Sequence, residues 1–273
     1  MSIDLTYLES KAKFIRREVL RMTTQAGKGH LGGAFSSVEL LVALYYGGLM
    51  RFDPKNPSWE KRDRFILSKG HSCEALYVIL ADNGFFPIQD LATYQQLGSS
   101  LSGHPHRHIA GIEADTGSLG HGLGVGAGIA LAAQMDKSDY LTFVLMGDGE
   151  CCEGSVWEAA MFAPKHELNN LVAIVDRNQL CVTDRVDDCV SLDPLDKKFE
   201  AFGWDVLTLD GHSFEDIINS FEHVRTRVSE KPLCVIADTV KGKGVSFMEG
   251  ELRWHHGIPK NIEYQQALDE LEY

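Results

Sequence analysis

Two apolar segments of the sequence each end in residues that can bind a metal ion. Residues 141–146 are followed by Gly147-Asp148-Gly149, and residues 171–175 are followed by Asp176-Arg177-Asn178. If both segments are strands of a parallel sheet, their polar turns meet at the carboxyl edge, where open α/β sheets bind ligands. A carboxylate, an amide oxygen and a backbone carbonyl suit a hard cation that also binds phosphate oxygens and water. The spacing therefore predicts a magnesium–diphosphate site.

A second set of chemically capable residues consists of histidines within or beside glycine-rich turns. They are His30, His71, His104 and the adjacent pair His255 and His256. Imidazole has a pKa near neutrality and can transfer protons at physiological pH. A lone histidine is usually structural or merely exposed, but a glycine turn can hold one close to a ligand. These side chains are therefore candidates for proton transfer at a ligand site.

The segment His104-Pro105-His106-Arg107-His108 has a zinc site as an alternative interpretation, because alternate histidines on a strand face the same side. No cysteine or carboxylate stands at a fitting spacing, and Pro105 favours a loop over a strand. A zinc site is therefore not expected here. His106 and His108 remain candidates for the rim of a substrate site.

The elements that must position these residues alternate between helix and strand, as in a single three-layer α/β domain with a mostly parallel sheet over residues 1–273. Strands are predicted at residues 64–67, 141–146, 171–175, 204–207 and 233–237. Helices are predicted at residues 4–25, 38–46, 73–83, 194–202 and 214–228, from residue 262 onward, and over a glycine-rich segment that ends near residue 135. A glycine-rich break at residues 27–33 and a polar loop at 98–117 separate some of them.

Composition excludes several classes of protein. Of the 273 residues, 44% are hydrophobic and 24% are charged, which is typical of a globular protein. The net charge of −13 argues against binding to nucleic acid. No apolar run is long enough to span a membrane, and charged residues interrupt the N-terminal segment where a signal peptide would be apolar. The six cysteines show no C-x-x-C spacing, which indicates reduced thiols in a cytoplasmic protein.

The segment from Gly122 to Ala127 matches the dinucleotide-binding pattern G-x-G-x-x-A, and Asp148 follows at a fitting distance. That pattern requires a buried strand directly before its first glycine, and residues 112–118 are polar. We expect instead a helix whose small residues (Gly124, Gly128 and Ala132) pack tightly against another helix or a ligand.

Two lysines stand between the glycines of the segment Lys241-Gly242-Lys243-Gly244. A solvated loop is the expected role of Lys241 and Lys243. Contact with an anionic ligand is the alternative for both.

Five short motifs, in the same order along the chain, resemble those of transketolases. They are Gly29-His30-Leu31-Gly32-Gly33, Ser68-Lys69-Gly70-His71, Gly103-His104-Pro105, Gly117-Ser118-Leu119-Gly120-His121-Gly122, and Gly147-Asp148-Gly149 with Asn178. The last resembles the diphosphate-binding motif of thiamine-diphosphate enzymes in general. The resemblance extends over nearly the whole chain and implies a thiamine-diphosphate-binding fold.

The resemblance also implies roles for individual residues. Asp148, Asn178 and the Leu180 carbonyl would bind Mg²⁺, or another divalent cation such as Ca²⁺ or Mn²⁺. Catalytic roles fall to His30 and His104, which would contact the donor and move protons, and to Glu153 at a subunit interface. Cofactor contacts are expected from His71, Gly117, Ser118, Leu119, Gly147, Gly149, Glu150, Asn178, and His255 or His256, of which His255 is preferred. Glu150 is also expected to support its turn.

In single-chain transketolases the corresponding domain is followed by a pyrimidine-binding domain and a C-terminal domain. The resemblance therefore implies the N-terminal subunit of a two-subunit transketolase, with the missing domains on a partner chain in an α2β2 heterotetramer. Such an enzyme transfers a two-carbon ketol unit from a ketose, phosphorylated or otherwise anionic, to an aldose. The alternatives are a first subunit that acts on a 2-oxo acid, and a non-enzymatic remnant, which retention of Asp148 and the histidines disfavours.

Two departures from the family pattern bear on the substrate. Cys181-Val182-Thr183-Asp184 stands where the family has Ile or Leu followed by Asp-Gly, and His121 replaces a glutamine. Neither departure involves the expected metal ligands. They imply a ketose donor that differs from the common sugar phosphates.

Overall fold

A parallel β-sheet forms the centre of the computed structural model, which describes residues 3–272. Within these residues the strands are β1 (Arg64–Leu67), β2 (Thr142–Gly147), β3 (Leu171–Arg177), β4 (Asp205–Asp210) and β5 (Leu233–Asp238). Their order across the sheet is β1-β2-β3-β5-β4, and every neighbouring pair is parallel. The expected α/β fold with a largely parallel sheet is thereby confirmed.

Helices cover both faces of this sheet. They are α1 (Leu5–Ala26), α2 (Leu31–Ser36), α3 (Val38–Tyr46), α4 (Cys73–Asp82), α5 (Gly122–Met135), α6 (Gly154–Lys165), α7 (Val186–Cys189), α8 (Leu195–Phe202), α9 (Phe214–Phe221) and α10 (Ile262–Glu272). Short 3₁₀ segments lie at Gly70–Ser72, Ile88–Thr93, Gly149–Cys152 and Leu252–His255.

Alternation along the strands divides the core into two layers. Phe143 and Leu145 of β2 point into a cluster formed with α1, α3, α4, α9 and α10. Val144 and Met146 point to the opposite face, where α5, α6 and α8 pack. Because successive strand side chains face opposite ways, a strand buried on both sides is apolar throughout, as β2 is. This burial fixes the strand register and therefore where each strand ends.

The carboxyl ends of four strands converge on one edge of the sheet. Gly147 at the end of β2 pairs with Asp176 of β3, and Asp176 pairs with Ala237 of β5. The residues after β1 begin with Ser68, whose backbone N–H bonds to the Leu145 carbonyl. β4 lies at the outer edge beyond β5. The turns predicted to do chemistry therefore follow β1, β2 and β3, with the β5 turn beside them.

Two helix predictions were incomplete. The predicted glycine-rich break overlaps α2, in which Gly32 and Gly33 are buried and helical. The helix predicted over 214–228 ends at Phe221 and gives way to turns. There the side chains of Arg225 and Arg227 bond to Asp63 and Asp205, and these long-range bonds hold the segment in a non-helical path. The short helix α7 was not predicted.

Within this chain, Gly124 and Gly128 of α5 have no packing partner, so the predicted contact with another helix or a ligand stays a prediction. A Cβ added to Gly124 or Gly128 meets no atom within 4 Å, and both glycines are exposed. The close contacts lie on the other side of the helix, where a Cβ at Gly122 would overlap Ser68 and one at Gly126 would overlap Val144. Helix α5 thus packs through one glycine face and leaves the other open.

Two findings concern membrane-spanning helices and disulfides. Within residues 3–272, no helix combines the length and the apolar character that a membrane span requires. All six cysteines fall within this range and are free thiols, as the absence of a C-x-x-C pattern predicted.

Candidate functional site

A cleft opens at the carboxyl edge of the sheet and brings together residues from distant parts of the sequence. It is lined by Gly33, Lys69, His71, Leu119, Gly147, Asp148, Gly149, Glu150, Asn178, Leu180, Cys181, Val182, Lys241 and His255. All three expected metal ligands and six other expected cofactor contacts are therefore in one place. The roles of these residues stay predictions.

Asp148 carries a buried carboxylate at the centre of the cleft. Its Oδ1 accepts the Gly149 N–H at 2.8 Å, and its Oδ2 accepts the Gln179 N–H at 2.5 Å. Burial, together with the nearby charge of Asp176, raises the pKa of Asp148 from 3.8 to about 7. A cation bound here would stabilise the ionised form, so this side chain fits the role of a metal ligand.

Asn178 is held in place by the fully buried carboxylate of Asp176. Asn178 Nδ2 donates to Asp176 Oδ2 at 3.0 Å, and Asn178 Oδ1 accepts the Leu180 N–H at 3.1 Å. Asp176 also accepts bonds from Lys69, Thr239 and, at 2.7 Å, Ser36. Burial opposes the ionisation of Asp176, but the Lys69 ammonium and these hydrogen bonds outweigh it and keep the pKa below its usual value.

Glu150 joins three of the predicted motifs. Its carboxylate accepts bonds from the Ser68 hydroxyl, from the Gly120 N–H at 2.8 Å and from the Gly147 N–H at 3.1 Å. The side chain is buried, and burial raises its pKa. Glu150 thus ties together the turns after β1, before α5 and after β2, which accords with the expected support of the turn.

Two lysines bring positive charge to the cleft. Lys69 is 2% exposed, and its ammonium bonds to the Gly33 carbonyl at 2.7 Å and pairs with Asp176. Lys241 is also 2% exposed, and its Nζ donates to the carbonyls of Leu180 at 3.0 Å and Cys181 at 2.8 Å. Burial and the neighbouring Lys69 charge lower the pKa of Lys241 to about 8. Lys241 uses two of its three N–H groups for these carbonyls and therefore suits an anionic ligand, whereas the Lys69 ammonium is paired with Asp176.

The expectation of a solvated loop was wrong for Lys241, which is buried. Lys243 is only half-buried and lies 3.4 Å from Glu249. Glycine flanks alone do not distinguish the two lysines. The fold does, because the turn after β5 directs Lys241 inward beneath the loop that follows β3.

The histidines form a cluster at the mouth of the cleft. The ring centre of His30 lies 5.4 Å from that of His71, 6.3 Å from His104, 5.6 Å from His255 and 4.5 Å from His256. The chain segments that carry them are far apart in sequence. The fold thus brings the histidines predicted to contact the donor next to those predicted to contact the diphosphate.

Within this cluster, His71 and His255 lie deepest. Their rings stack with centres 5.2 Å apart. Burial, assisted by nearby cationic side chains, lowers the pKa of His71 to about 2 and that of His255 to about 3. His256 is exposed and faces His30 instead. Of the adjacent pair, His255 therefore has the better position for a phosphate contact, as preferred from the sequence.

Comparison with known proteins assigns the family. Residues 9–270 match the family described as transketolase, thiamine diphosphate binding domain. The chain belongs to the transketolase family. The resemblance seen in the five motifs is thereby confirmed.

Two curated relatives are subunits of split transketolases. One of the subunits of the apulose-4-phosphate transketolase of Phocaeicola vulgatus is 47% identical over 271 residues, which cover 99% of this chain and 95% of that polypeptide. The 6-deoxy-6-sulfo-D-fructose transketolase subunit SqwG of a Clostridium species is 42% identical, with 100% and 98% covered. These names support the expected transketolase subunit over the 2-oxo-acid alternative.

A solved transketolase has the same fold. The enzyme from Campylobacter jejuni superimposes with a TM-score of 0.92 at 31% identity. The match covers 100% of this chain and 43% of the Campylobacter chain. The chain therefore spans less than half of that transketolase and nearly all of the two split subunits.

Some transketolase motif residues lie outside the cleft. Ser118 and Glu153 are exposed, the latter at the start of α6. Gly117 lies beside His104, whose ring a Cβ at that glycine would approach to 2.8 Å. The small side chain of Gly117 therefore allows the loop of His104 to approach the turn before α5.

The two departures from the transketolase pattern occupy different surroundings. Cys181 and Val182 line the cleft, so they replace family side chains beside the predicted cofactor site. His121 is exposed at the start of α5, where its Nδ1 lies 3.2 Å from the Leu119 carbonyl. The first departure is therefore the better placed to affect the substrate.

The donor set fits a divalent cation and a diphosphate. Asp148 and Asn178 offer hard oxygen ligands, and the Leu180 carbonyl, which accepts the Lys241 ammonium, retains a second lone pair. Lys241 and the imidazole of His71 line the same space with donors for phosphate oxygens, while the Lys69 ammonium beside them is bonded to Gly33, Ser36 and Asp176. Such a cation would stabilise the ionised form of the Asp148 carboxylate, whose pKa is raised by burial.

Proposed function

We propose that this chain is the diphosphate-binding subunit of a two-subunit transketolase, which transfers a two-carbon ketol unit from an anionic ketose to an aldose. The observation that carries the proposal is the convergence of Asp148, Asn178, Lys241 and His71 at one sheet edge, in a chain of the transketolase family. Thiamine diphosphate, with Mg²⁺ or a similar divalent cation, is the proposed cofactor.

In this mechanism the chain anchors the cofactor through its charged end. Asp148, Asn178 and the Leu180 carbonyl would hold the metal ion, while Lys241 and His71 would donate hydrogen bonds to the phosphate oxygens. Bound thiamine diphosphate supplies the electron sink for breaking and forming the carbon–carbon bond.

The half-buried histidines act at the other end of the cleft. His30 and His104 contact the donor hydroxyls and carry the proton that must leave one of them when the carbon–carbon bond breaks. Burial and the neighbouring His30 lower the pKa of His104, so this imidazole is uncharged at neutral pH and can accept a proton.

A partner chain with the pyrimidine-binding domain completes the enzyme in this proposal, as an α2β2 heterotetramer. The names of the split relatives support the partner, and so does the surface of α5 and α6. Helix α5 has no charged residue, yet its Val125 is 42% exposed, and on the adjacent α6 Met161 is 53% exposed. Apolar helices are normally covered, so we assign this surface to the partner, with Glu153 at its margin.

The proposed donor is a ketose with an anionic tail, since the names of the split relatives specify a phosphate or a sulfonate sugar. The side chains that recognise the tail are assigned to the partner. The free thiols agree with the reducing environment of the cytoplasm, which is the proposed location.

The proposal is tested by mixing the purified chain with its partner, thiamine diphosphate and Mg²⁺. We expect ketol transfer from apulose-4-phosphate or 6-deoxy-6-sulfo-D-fructose to an aldose, and none from either chain alone. Asp148→Asn should abolish it, whereas Asp136→Asn, an exposed change at the end of α5, should not. Turnover by this chain alone, or turnover of pyruvate but of no ketose, would contradict the proposal.

A further inference from the structure

We propose that His30, His255 and His256 form a binding site for Zn²⁺ that is separate from the predicted Mg²⁺ site. Each of the three imidazoles offers one nitrogen, and these nitrogens all lie within 4.8 Å of one another. The three ring centres are 4.5, 4.6 and 5.6 Å apart. No other group of three histidine, cysteine or carboxylate ligands in residues 3–272 comes as close together.

The distances fit zinc after a small adjustment. A Zn–N bond is about 2.0–2.1 Å long, so three nitrogens at these separations must each move inward by about 1 Å. His256 is exposed and free to make such a movement, while His255 is buried and His30 is half-buried. Three imidazoles with one open position are a common zinc coordination set.

Unpartnered nitrogens give an independent indication. The Nδ1 atoms of His30 and His255 are both buried and have no hydrogen-bond partner. Buried polar atoms are nearly always paired, so the Nδ1 of His255 points to a missing ligand, whereas the Nδ1 of His30 lies 3.8 Å from the Glu74 carboxylate.

The Glu74 carboxylate lies next to the cluster, where it can accept a hydrogen bond from a zinc-binding histidine. Glu74 is fully buried, and its Oε1 lies 3.8 Å from His30 Nδ1 and accepts the His30 backbone N–H at 2.8 Å. Its Oε2 has no partner. If His30 Nδ1–H turns to this carboxylate, Nε2 is left for the metal, which is the carboxylate–histidine–zinc arrangement of many zinc sites.

The chemistry of the two sites differs. Asp148, Asn178 and a carbonyl are hard oxygen donors that suit Mg²⁺, whereas imidazoles prefer Zn²⁺ and hardly bind Mg²⁺. If the proposed function holds, zinc at His30 occupies a group that contacts the ketose, and it therefore inhibits transfer. Zinc binding itself does not depend on that function.

The test is a titration of the metal-free full-length chain with Zn²⁺ by calorimetry, in excess Mg²⁺ so that the oxygen site is filled. We expect one zinc ion per chain, and for His256→Gln an affinity at least about 100-fold lower. Glu74→Gln should lower the affinity by about 10- to 100-fold through its effect on His30. Circular dichroism checks that both variants fold, and Co²⁺ absorption reports imidazole coordination independently.

His106 and His108 provide the matched control, because their rings also stack, with centres 5.6 Å apart, outside the cluster. The double variant His106→Gln/His108→Gln should bind zinc like the parent chain. The proposal is overturned if zinc does not bind, if His256→Gln leaves its affinity unchanged, or if binding is lost with the control pair or with Asp148→Asn. Ketol-transfer assays without zinc test the proposed function separately.

Discussion

The cleft at the carboxyl edge and the outer surface of α5 and α6 differ in how their side chains are surrounded. Side chains in the cleft are buried and hydrogen-bonded within the chain, whereas side chains on the helix surface are exposed. In the cleft, Asp176, Glu150 and Lys241 are nearly inaccessible to solvent, and each has at least two hydrogen-bond partners within the chain. On the helix surface, a Cβ at Gly128 would meet no atom within 4 Å, and Met161 is 53% exposed.

The difference separates what this chain does by itself from what it does with a partner. The side chains of the cleft are held in place without any ligand, so in the proposed function cofactor anchoring depends on this chain's own residues. The surface of α5 and α6 is apolar and uncovered by the described residues, and in the proposed function its role lies in assembly. Changes in the two regions should therefore affect different measurements.

The largest effect is expected from Asp148→Asn, which removes the metal-binding charge and keeps the shape of the side chain. We expect the Mg²⁺-dependent affinity for thiamine diphosphate to fall by more than about 100-fold, since even outer-shell changes at metal sites cost about 10- to 100-fold. Calorimetry of the chain measures this, and association with the partner should change little. Unchanged cofactor affinity would show that the cleft is not the anchor.

The two glycine faces of α5 allow a direct comparison of fold and assembly. Gly126→Leu must displace Val144, so we expect the free energy of unfolding to fall by about 1–3 kcal/mol. Gly128→Leu meets open space and should stabilise the chain slightly, because glycine is a poor helix former.

In contrast, Gly128→Leu should weaken association with the partner, as measured by sedimentation of the mixed subunits. Chemical denaturation measures the stability of both variants. If Gly128→Leu assembles like the parent chain, the surface near this glycine is not the interface.

Metal and cofactor binding should depend on pH through Asp148. Its pKa of about 7 lies above the ordinary 3.8, so below pH 7 the metal must displace a proton. Affinity should therefore drop by up to about tenfold per pH unit below 7 and level off above it. The comparison of pH 6 with pH 8 tests this, and Asp148→Asn should abolish the dependence.

The free energy of unfolding of the metal-free chain should change with pH in the opposite direction to the metal affinity. A carboxyl with a raised folded-state pKa binds its proton more tightly in the native state, so it lowers stability as pH rises from about 4 to about 7. The slope from this group is at most about 1.4 kcal/mol per unit. Added Mg²⁺ should therefore raise the melting temperature more at pH 8 than at pH 6.

The smallest effect is expected from the paired lysines. Lys241→Met removes a buried ammonium that faces the phosphate site, and we expect about tenfold weaker cofactor binding, equivalent to one charge-assisted hydrogen bond. Lys243→Met should change it by less than about twofold, because an exposed ion pair contributes little. If the two variants weaken cofactor binding equally, Lys241 does not contact the phosphate. Binding titrations with each variant decide between these outcomes.

Much of the cleft was predictable because its residues follow strands. The apolar runs before Gly147 and Asp176 located the sheet edge, and the glycine turns around His30 and His71 identified the family. Individual partners were not predictable in the same way. Asp176 meets Ser36 from 140 residues away, and Lys241 meets the loop after β3, so only the folded chain shows these contacts.

The limits of the sequence predictions have a common physical cause. Local patterns of small or apolar residues indicate a packed face, as they did for Gly124 and Gly128, but they do not say which chain provides the packing. The helix predicted over 214–228 likewise had a suitable pattern, yet bonds from Arg225 and Arg227 to distant carboxylates ended it early.

The three bonds to Glu150 also have a consequence for folding. They join residues 68, 120 and 147, which come together only when β1, α5 and β2 have all docked. A chain with any one of these elements out of place has no anchor for the diphosphate. In the proposed function, retention of thiamine diphosphate would therefore report that this part of the sheet has finished folding.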